Sequence, residues 1–208
     1  MHYYLPSCKI KSTFPDISNK IQDYLENKGV KVLSCCKLVN LNFNEEDIVL
    51  NNCVSCSIIM DERFPNVNQM SIYEYLLKQE DFKWPDLNGT KYVIQDCIRS
   101  NHKPNVQEAI RLCLNKMNIE VIESNDTNFD GAFKYKTIPP KTLDAAPVYY
   151  KNYQKQQTIL TDEEIAAKMS EQLSEYPTDN IIVYCNSCYS GLKMVDENCK
   201  HILEIIFN

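Results

Sequence analysis

Residues 2–32 of this chain read HYYLPSCKIKSTFPDISNKIQDYLENKGVKV, and residues 91–121 read KYVIQDCIRSNHKPNVQEAIRLCLNKMNIEV. At a shift of 89 positions the two segments align without a gap, so that Cys8 falls on Cys97 and a proline falls on a proline. Each segment has the pattern of a short strand, a cysteine, a helix that starts at proline and a second strand. Matched cysteine, proline and element order indicate an internal repeat.

The repeat predicts the fold class. Its first strands are His2–Leu5 and Lys91–Gln95, and its helices end at Gly29 and Asn118, residue types that tolerate a left-handed conformation. A strand, a helix and a second strand in this order imply parallel pairing with a right-handed crossover. We therefore expect an α/β protein with two tandem Rossmann-like repeats, each a small parallel sheet flanked by helices.

The second part of each repeat is a strand that leads into a Cys-x-x-Cys turn. Residues 47–50 precede Cys53 and Cys56, and residues 180–184 precede Cys185 and Cys188, at a shift of 132 positions. The larger shift means that the second copy carries an insertion of 43 residues. Strand context and cysteine spacing recur together, which argues against coincidence.

The insertion and the join between the copies set the expected domain bounds. A capping-box pattern predicts a helix over Thr161–Tyr176, whereas Phe133–Gln157 lacks periodicity and is expected to be loop. We expect a first repeat at residues 1–60, a linker with one helix (Ser71–Glu80) at 61–90, and a second, degenerate repeat with the inserted helix at 91–208.

The fold brings cysteines together. The carboxyl ends of parallel strands lie along one edge of a sheet, where α/β folds bind ligands. Five sulfurs of the first copy should converge there, those of Cys8, Cys35, Cys36, Cys53 and Cys56. Free N–H groups and the helix dipole at a Cys-x-x-Cys turn favour thiolate, the form that binds metal and attacks disulfides.

Composition excludes several functions. The net charge of −6 and pI of 5.2 argue against a nucleic-acid surface, and only 4 glycines are present, too few for a Gly-rich phosphate loop. No apolar run has the roughly 20 residues of a membrane helix, so no membrane insertion is expected. The N-terminus shows no secretory signal, so we expect reduced cysteines in the cytoplasm.

The order Cys, Cys-Cys, Cys-x-x-Cys, in tandem copies, resembles the cysteine-rich "CCG" domain. That domain occurs in the cysteine-rich subunit of heterodisulfide reductases and in iron–sulfur subunits of glycolate and lactate oxidation systems. Residues 4–8 (YLPSC) and 184–189 (YCNSCY) resemble its first and last motifs. The resemblance implies a non-cubane [4Fe–4S] cluster on Cys8, Cys35, Cys36, Cys53 and Cys56. It further implies electron transfer or thiol–disulfide reduction, a redox partner protein or complex subunit, and a thiol or disulfide substrate, and it leaves open whether the protein is an enzyme.

The second copy departs from this pattern. The ungapped register puts residues 124–125 (Ser-Asn) at the place of Cys35-Cys36, and a shifted register puts residues 129–131 (Phe-Asp-Gly) there. Three cysteines remain in either case, those at positions 97, 185 and 188. Three sulfurs suit a zinc site completed by Asp130 or His102, or by a partner or substrate.

Two other functions stay open. One is a zinc-binding structural or interaction protein on the same cysteine-rich fold. The other is a metal-free thiol oxidoreductase with Cys53/Cys56 or Cys185/Cys188 as the attacking pair, although such an enzyme needs only two thiols. The remaining cysteines, at positions 113 and 199, have no counterpart in the repeat and are expected to pack as apolar residues.

Overall fold

The computed structural model describes residues 1–38, 40 and 42–208, and the chain divides into two compact units. The first unit comprises Met1–Gln79, Ile138–Lys155 and Phe207–Asn208, and the second comprises Glu80–Thr137 and Gln156–Ile206. Each unit contains one four-stranded sheet in which all pairs are parallel. The predicted fold class, two tandem Rossmann-like repeats with small parallel sheets flanked by helices, is confirmed.

The first unit alternates strands and helices. Its elements are β1 (His2–Leu5), α1 (Cys8–Thr13), α2 (Pro15–Asn27), β2 (Lys31–Val32), β3 (Ile48–Asn51), α3 (Val54–Arg63), β4 (Asn68–Ser71) and α4 (Ile72–Leu77). Two later helices also belong to it, α6 (Pro140–Ala145) and α7 (Pro147–Gln154).

The second unit repeats this alternation. Its elements are β5 (Lys91–Gln95), a 3-10 helix (Ile98–Ser100), α5 (Pro104–Lys116), β6 (Glu120–Glu123), a 3-10 helix (Gly131–Tyr135), α8 (Asp162–Ser174), β7 (Ile181–Val183), α9 (Asn186–Leu192), β8 (Lys200–His201) and α10 (Ile202–Ile206).

The two sheets have the same strand order, β2-β1-β3-β4 and β6-β5-β7-β8. In the first sheet Tyr3 pairs with Lys31 on one side and with Val49 on the other. The chain thus places β2 on one side of β1 and β3 on the other, so the strand order reverses between β1 and β3. The second sheet has the same reversal between β5 and β7. Ligands of open α/β sheets bind beyond the carboxyl ends of the strands at such a switch point.

Helices α2 and α5 show why the repeat folds twice in the same way. Both have 13 residues and begin at a proline, where the missing N–H costs no intrahelical bond. Each then turns through a left-handed residue, Gly29 with φ +74° and Asn118 with φ +54°. Apolar side chains at helical spacing are fully buried, namely Ile21 and Leu25 in α2 and Ile110 and Leu114 in α5.

The inserted helix is present as predicted. The Thr161 hydroxyl accepts the backbone N–H of Glu164, and the Glu164 carboxylate accepts the backbone N–H of Thr161. The two residues therefore form a complete capping box at the start of α8. Burial of Ile165 and Met169 holds the helix against the second unit.

The prediction of a loop over Phe133–Gln157 is wrong. This segment contains α6 and α7, each with a proline at its first turn, so prolines that resembled loop residues are helix starts. The N-terminus of α7 is capped by Glu62, whose carboxylate accepts the N–H groups of Val148 and Tyr149 at 2.8 and 3.0 Å. A cap from a distant helix leaves no signal in the local sequence.

The expected domain bounds also differ from the compact units. Residues 68–71 lie in the expected linker but form β4, which pairs along the whole of β3. Residues 138–155 were expected in the second repeat but pack with the first unit. Strand β4 is the polar segment NQMS, which has neither the alternation nor the β-branched residues that predict a strand from sequence.

Candidate metal centres

Five cysteines meet at the switch point of the first sheet. Cys8 is the first residue of α1, just beyond β1, and Cys35 and Cys36 lie in the loop after β2. Cys53 is the N-cap of α3, just beyond β3, and Cys56 is in the first turn of that helix. We call these five residues the first centre. The structure shows sulfur contact for two pairs, Cys8 with Cys35 and Cys36 with Cys56.

Two sulfur–sulfur contacts lie within the first centre. Cys8 Sγ lies 3.1 Å from Cys35 Sγ, and Cys36 Sγ lies 3.4 Å from Cys56 Sγ. Cys35 also influences the pKa of Cys36, and Cys53 that of Cys56. Sulfurs that stand 27 and 20 residues apart in the sequence are thus brought within contact of one another.

One side of the first centre faces solvent. Cys8 is exposed, Cys35 and Cys53 are half-buried, and Cys36 and Cys56 are buried at 2% and 5% exposure. Desolvation and the hydrogen bond to Cys35 raise the pKa of Cys8 to about 11. The hydrogen bond between Cys36 and Cys56 lowers the pKa of Cys36 and raises that of Cys56.

Two side chains that the sequence did not indicate hold the Cys35-Cys36 loop. Arg63, at the end of α3, donates from Nη1 to the carbonyl oxygen of Cys36 at 2.7 Å. Lys37 donates from Nζ to the hydroxyl of Thr142 on α6 at 2.7 Å. The loop is therefore anchored from two elements, and α6 supports the first centre from a distant part of the chain.

A second group of ligands lies at the switch point of the other sheet. Cys97 follows β5, Cys185 is the N-cap of α9 just beyond β7, and Cys188 is in the first turn of α9. Asp130 precedes the 3-10 helix Gly131–Tyr135. The three sulfurs and a carboxylate oxygen all lie within 4.8 Å of one another, and all four residues are buried. This second centre could hold a metal ion.

The structure decides the register of the second copy. Asp130 reaches the sulfurs of the second centre, with its Oδ1 3.1 Å from Cys97 Sγ, as Cys35 Sγ lies 3.1 Å from Cys8 Sγ in the first. Ser124, which follows β6, instead donates a hydrogen bond to Gln95 at the end of β5. His102 is exposed and lies outside the group of ligands. Of the two proposed fourth ligands the structure therefore brings Asp130 to the sulfurs.

Gly131 is the residue that lets this loop reach the cysteines. It has φ +51°, and a Cβ there would lie 2.4 Å from the carbonyl oxygen of Ser187 and 2.5 Å from Cys188 Cα. Only glycine permits such a close approach of two backbones. The sequence does carry a signal for this loop, because the shifted register aligns Gly131 with the glycine of the Cys-Cys-Gly pattern.

Arg99 is a functional residue that sequence reasoning missed. Its side chain is 1% exposed, and its Nε donates to both carboxylate oxygens of Asp130 at 2.7 and 2.8 Å. Its Nη2 donates to Cys185 Sγ at 3.3 Å and to the hydroxyl of Ser187 at 2.9 Å. The guanidinium also stacks 4.1 Å over the ring of Phe133. The second centre thus contains a cation supplied by the protein.

The electrostatics of the second centre follow from burial and from this cation. Hydrogen bonds from Cys188 and Cys97, together with the positive charge of Arg99, hold the pKa of Cys185 well below its ordinary value. Burial raises the pKa of Cys97 and of Cys188 well above theirs.

A polar network supports the second centre from behind. The hydroxyl of Tyr184 accepts from the backbone N–H of Cys97 at 3.4 Å and donates to Asp96 at 2.7 Å. Ser100 bonds the same hydroxyl at 2.7 Å, and Arg111 binds the Asp96 carboxylate at 2.9 and 2.7 Å. These bonds fix the strand end that carries Cys97.

The remaining two cysteines lie outside both centres. Cys113 and Cys199 are buried at 0% and 1% exposure, and burial raises the pKa of each to about 12. They pack as small apolar residues, as predicted, and serve as controls for the cysteines of the centres.

Comparison with protein families, with curated proteins and with solved structures gave no match to this chain. The resemblance to the CCG domain therefore rests on the cysteine pattern alone. Within the described part of the chain, no helix combines the length and apolar character needed to cross a membrane.

Proposed function

We propose that this protein is a redox protein with an iron–sulfur cluster on the first centre and a divalent ion, zinc, on the second. The observation that carries the proposal is the convergence of five sulfurs from three strand ends on one open sheet edge. Thiolates are the ligands of iron–sulfur clusters and of structural zinc.

The arrangement of the first centre supports a cluster rather than a single ion. Five sulfurs exceed the four ligands of a tetrahedral ion, and their two close pairs range from the exposed Cys8 to the buried Cys56. The cysteine order of the CCG domain, which this chain resembles, supports the same assignment.

The arrangement of the second centre supports one ion. Its four ligand atoms are mutually close and fully enclosed, as in the closed, four-coordinate sites of structural zinc. Three thiolates and the Asp130 carboxylate would carry four negative charges, of which zinc offsets two and the Arg99 guanidinium one. Arg99 thus offsets part of the ligand charge that a divalent ion leaves uncompensated, which favours a zinc ion with a structural role.

The open side of the first centre favours exchange of electrons with another molecule. Exposed Cys8 and half-buried Cys35 bring the centre to the surface, where a redox partner protein or a disulfide substrate can approach. All ten cysteines are free thiols, and we propose the cytoplasm, a reducing compartment, as the place of work.

Metal analysis of protein purified without oxygen tests the proposal. We expect iron and acid-labile sulfide in equal amounts, close to one equivalent of zinc, and a brown colour that dithionite bleaches. Colourless protein with neither iron nor sulfide, prepared in the same way from iron-supplemented cells, would exclude the cluster.

Cysteine variants assign each metal to its centre. Cys36→Ser should abolish iron and colour and retain zinc, because Cys36 is the innermost contact of the first centre. Cys188→Ser should lose zinc and retain the colour. Cys113→Ser, equally buried but outside both centres, should change neither metal.

A structural zinc protein is the second candidate, and the closed second centre favours it. In that case the protein would contain zinc and no iron, and loss of zinc would lower stability rather than redox activity. For a metal-free oxidoreductase, the pair Cys185/Cys188 is poorly placed, because both thiols are buried away from any external disulfide. In the pair Cys53/Cys56 only Cys53 is half-buried, and Cys56 is buried.

A further inference from the structure

The first centre contains one pair of sulfurs that is both close and accessible. Cys8 Sγ and Cys35 Sγ lie 3.1 Å apart, and a disulfide bond requires about 2.05 Å, so an approach of about 1 Å would join them. Cys8 is exposed and Cys35 half-buried, and the loop around Cys35 is open, with Ser34 exposed and Leu38 76% exposed.

The geometry points to Cys8 and Cys35 as a dithiol site that exchanges electrons with small disulfides when the first centre holds no metal. This activity goes beyond the metal function proposed above, and only its exclusion by bound metal rests on that function. The cysteine pair differs from both Cys-x-x-Cys turns, which sequence spacing alone would select.

One sulfur of the pair attacks and the other resolves, and the 3.1 Å contact places each within reach of a disulfide formed on the other. Cys35 loses its proton to solvent and attacks one sulfur of an external disulfide RSSR, so that the S–S bond of RSSR breaks, a Cys35–S–S–R bond forms and RS⁻ leaves. Cys8 then loses its proton and attacks the Cys35 sulfur, which releases the second RS⁻. The two thiolates carry the two electrons that the dithiol has lost.

The neighbouring sulfurs are less suited to this reaction. Cys36 and Cys56 are also close, at 3.4 Å, but they are buried at 2% and 5% exposure, so an external disulfide cannot reach them directly. Cys53 is half-buried, but its Cys-x-x-Cys partner Cys56 is buried, so this pair has one accessible sulfur where Cys8 and Cys35 have two. Oxidation should therefore stop at one disulfide in the first unit.

A disulfide between Cys8 and Cys35 and a metal on the same sulfurs exclude each other. A metal needs both as thiolates, and a disulfide sulfur is no longer a thiolate ligand. The exposed pair therefore makes loading of the first centre dependent on prior reduction.

The test uses the full chain, reduced and stripped of metal with a chelator under argon, then incubated with oxidised glutathione. After alkylation and digestion we expect two of the ten thiols to be lost, and a single peptide pair that joins Cys8 to Cys35. Cys113→Ser, which removes a buried thiol outside the centre, should give the same pair.

Cys8→Ser tests the order of attack. Without its resolving partner, Cys35 should accumulate as a stable mixed disulfide with glutathione, one adduct per chain. A crosslink that joins any other two cysteines, ten free thiols after oxidation, or an intramolecular disulfide that still forms in Cys8→Ser would each overturn the proposal.

A second arm separates this proposal from the metal function. Oxidised protein should take up no iron on the first centre in an anaerobic reconstitution with ferrous iron and sulfide, until dithiothreitol reduces it. If reduced protein also takes up no iron, the metal proposal fails while the mapped disulfide still decides the dithiol proposal. If oxidised protein with a mapped Cys8–Cys35 disulfide loads iron as fully as reduced protein, the exclusion is wrong.

Discussion

Replacement of Arg99 by methionine is the sharpest test of how the second centre is held together. The substitution keeps most of the side-chain volume and removes the cation from Asp130, whose carboxylate is 0% exposed. Loss of one partner from a buried ion pair costs about 3–5 kcal/mol, because the remaining charge is buried without compensation. We expect a loss of that size in the free energy of unfolding of the second unit.

A double-mutant cycle isolates the pair from the other contacts of Arg99. Asp130→Asn alone should also destabilise, because it leaves the buried guanidinium without its anion. The double variant, Arg99→Met with Asp130→Asn, should be more stable than the sum of the single losses predicts, by about 2 kcal/mol or more. The measurement is urea denaturation of metal-free, reduced protein, followed by far-UV circular dichroism.

The matched control is Lys168→Met. Lys168 forms an ion pair with Glu171 on the surface of α8, and its removal changes the net charge by the same amount. An exposed pair of this kind contributes little to stability. Should Arg99→Met cost as little as this control, or should the two single losses simply add, the buried pair would not have the role described.

Three further predictions concern the same unit. Gly131→Ala should lower the free energy of unfolding by at least about 2 kcal/mol and abolish zinc binding, because the new methyl group would overlap the backbone of Ser187. The control is Gly29→Ala, at a glycine with φ +74° and nothing within 4 Å of the added Cβ. It should lower the free energy of unfolding by only about 1–2 kcal/mol and leave zinc binding unchanged. Burial lowers the pKa of His201 from 6.5 to about 4, so the stability that its neutral form contributes is complete above pH 6.5 and is lost as the pH falls toward 4. Urea midpoints between pH 7 and 4 should show this decline, and it should be smaller in His201→Gln. Tyr184→Phe should cost about 1–3 kcal/mol in urea denaturation, because it leaves buried polar groups without their hydroxyl partner.

Much of the fold could be predicted from local signals that the chain repeats. A proline at the first turn, apolar residues at helical spacing and a left-handed residue after the last turn are all local. The starts of α2 and α5 were therefore predicted, and their ends lie two residues before Gly29 and Asn118. Parallel topology then brought the strand ends together, and with them the sulfurs from Cys8 to Cys56. The convergence followed from topology and needed no knowledge of side-chain contacts.

What could not be predicted depends on contacts between distant residues. Arg99 resembles any surface arginine, and only its bond to Asp130, 31 positions away, shows that it is buried. Helix α7 depends on a cap from Glu62, 86 positions away. Strand β8 has only two residues, Lys200 and His201, and is a strand because it pairs with β7.

The first unit is assembled from three separate stretches of the chain, and this arrangement has a consequence for biosynthesis. Thr142, which holds the loop of the first centre, and Phe207, whose carbonyl accepts a bond from Lys20 at 3.0 Å, are translated long after the sulfurs themselves. Strands of the second unit are therefore synthesised before all residues of the first unit have been translated. During that interval the fold around the thiols is incomplete, so we expect insertion of the proposed cluster after translation rather than during it.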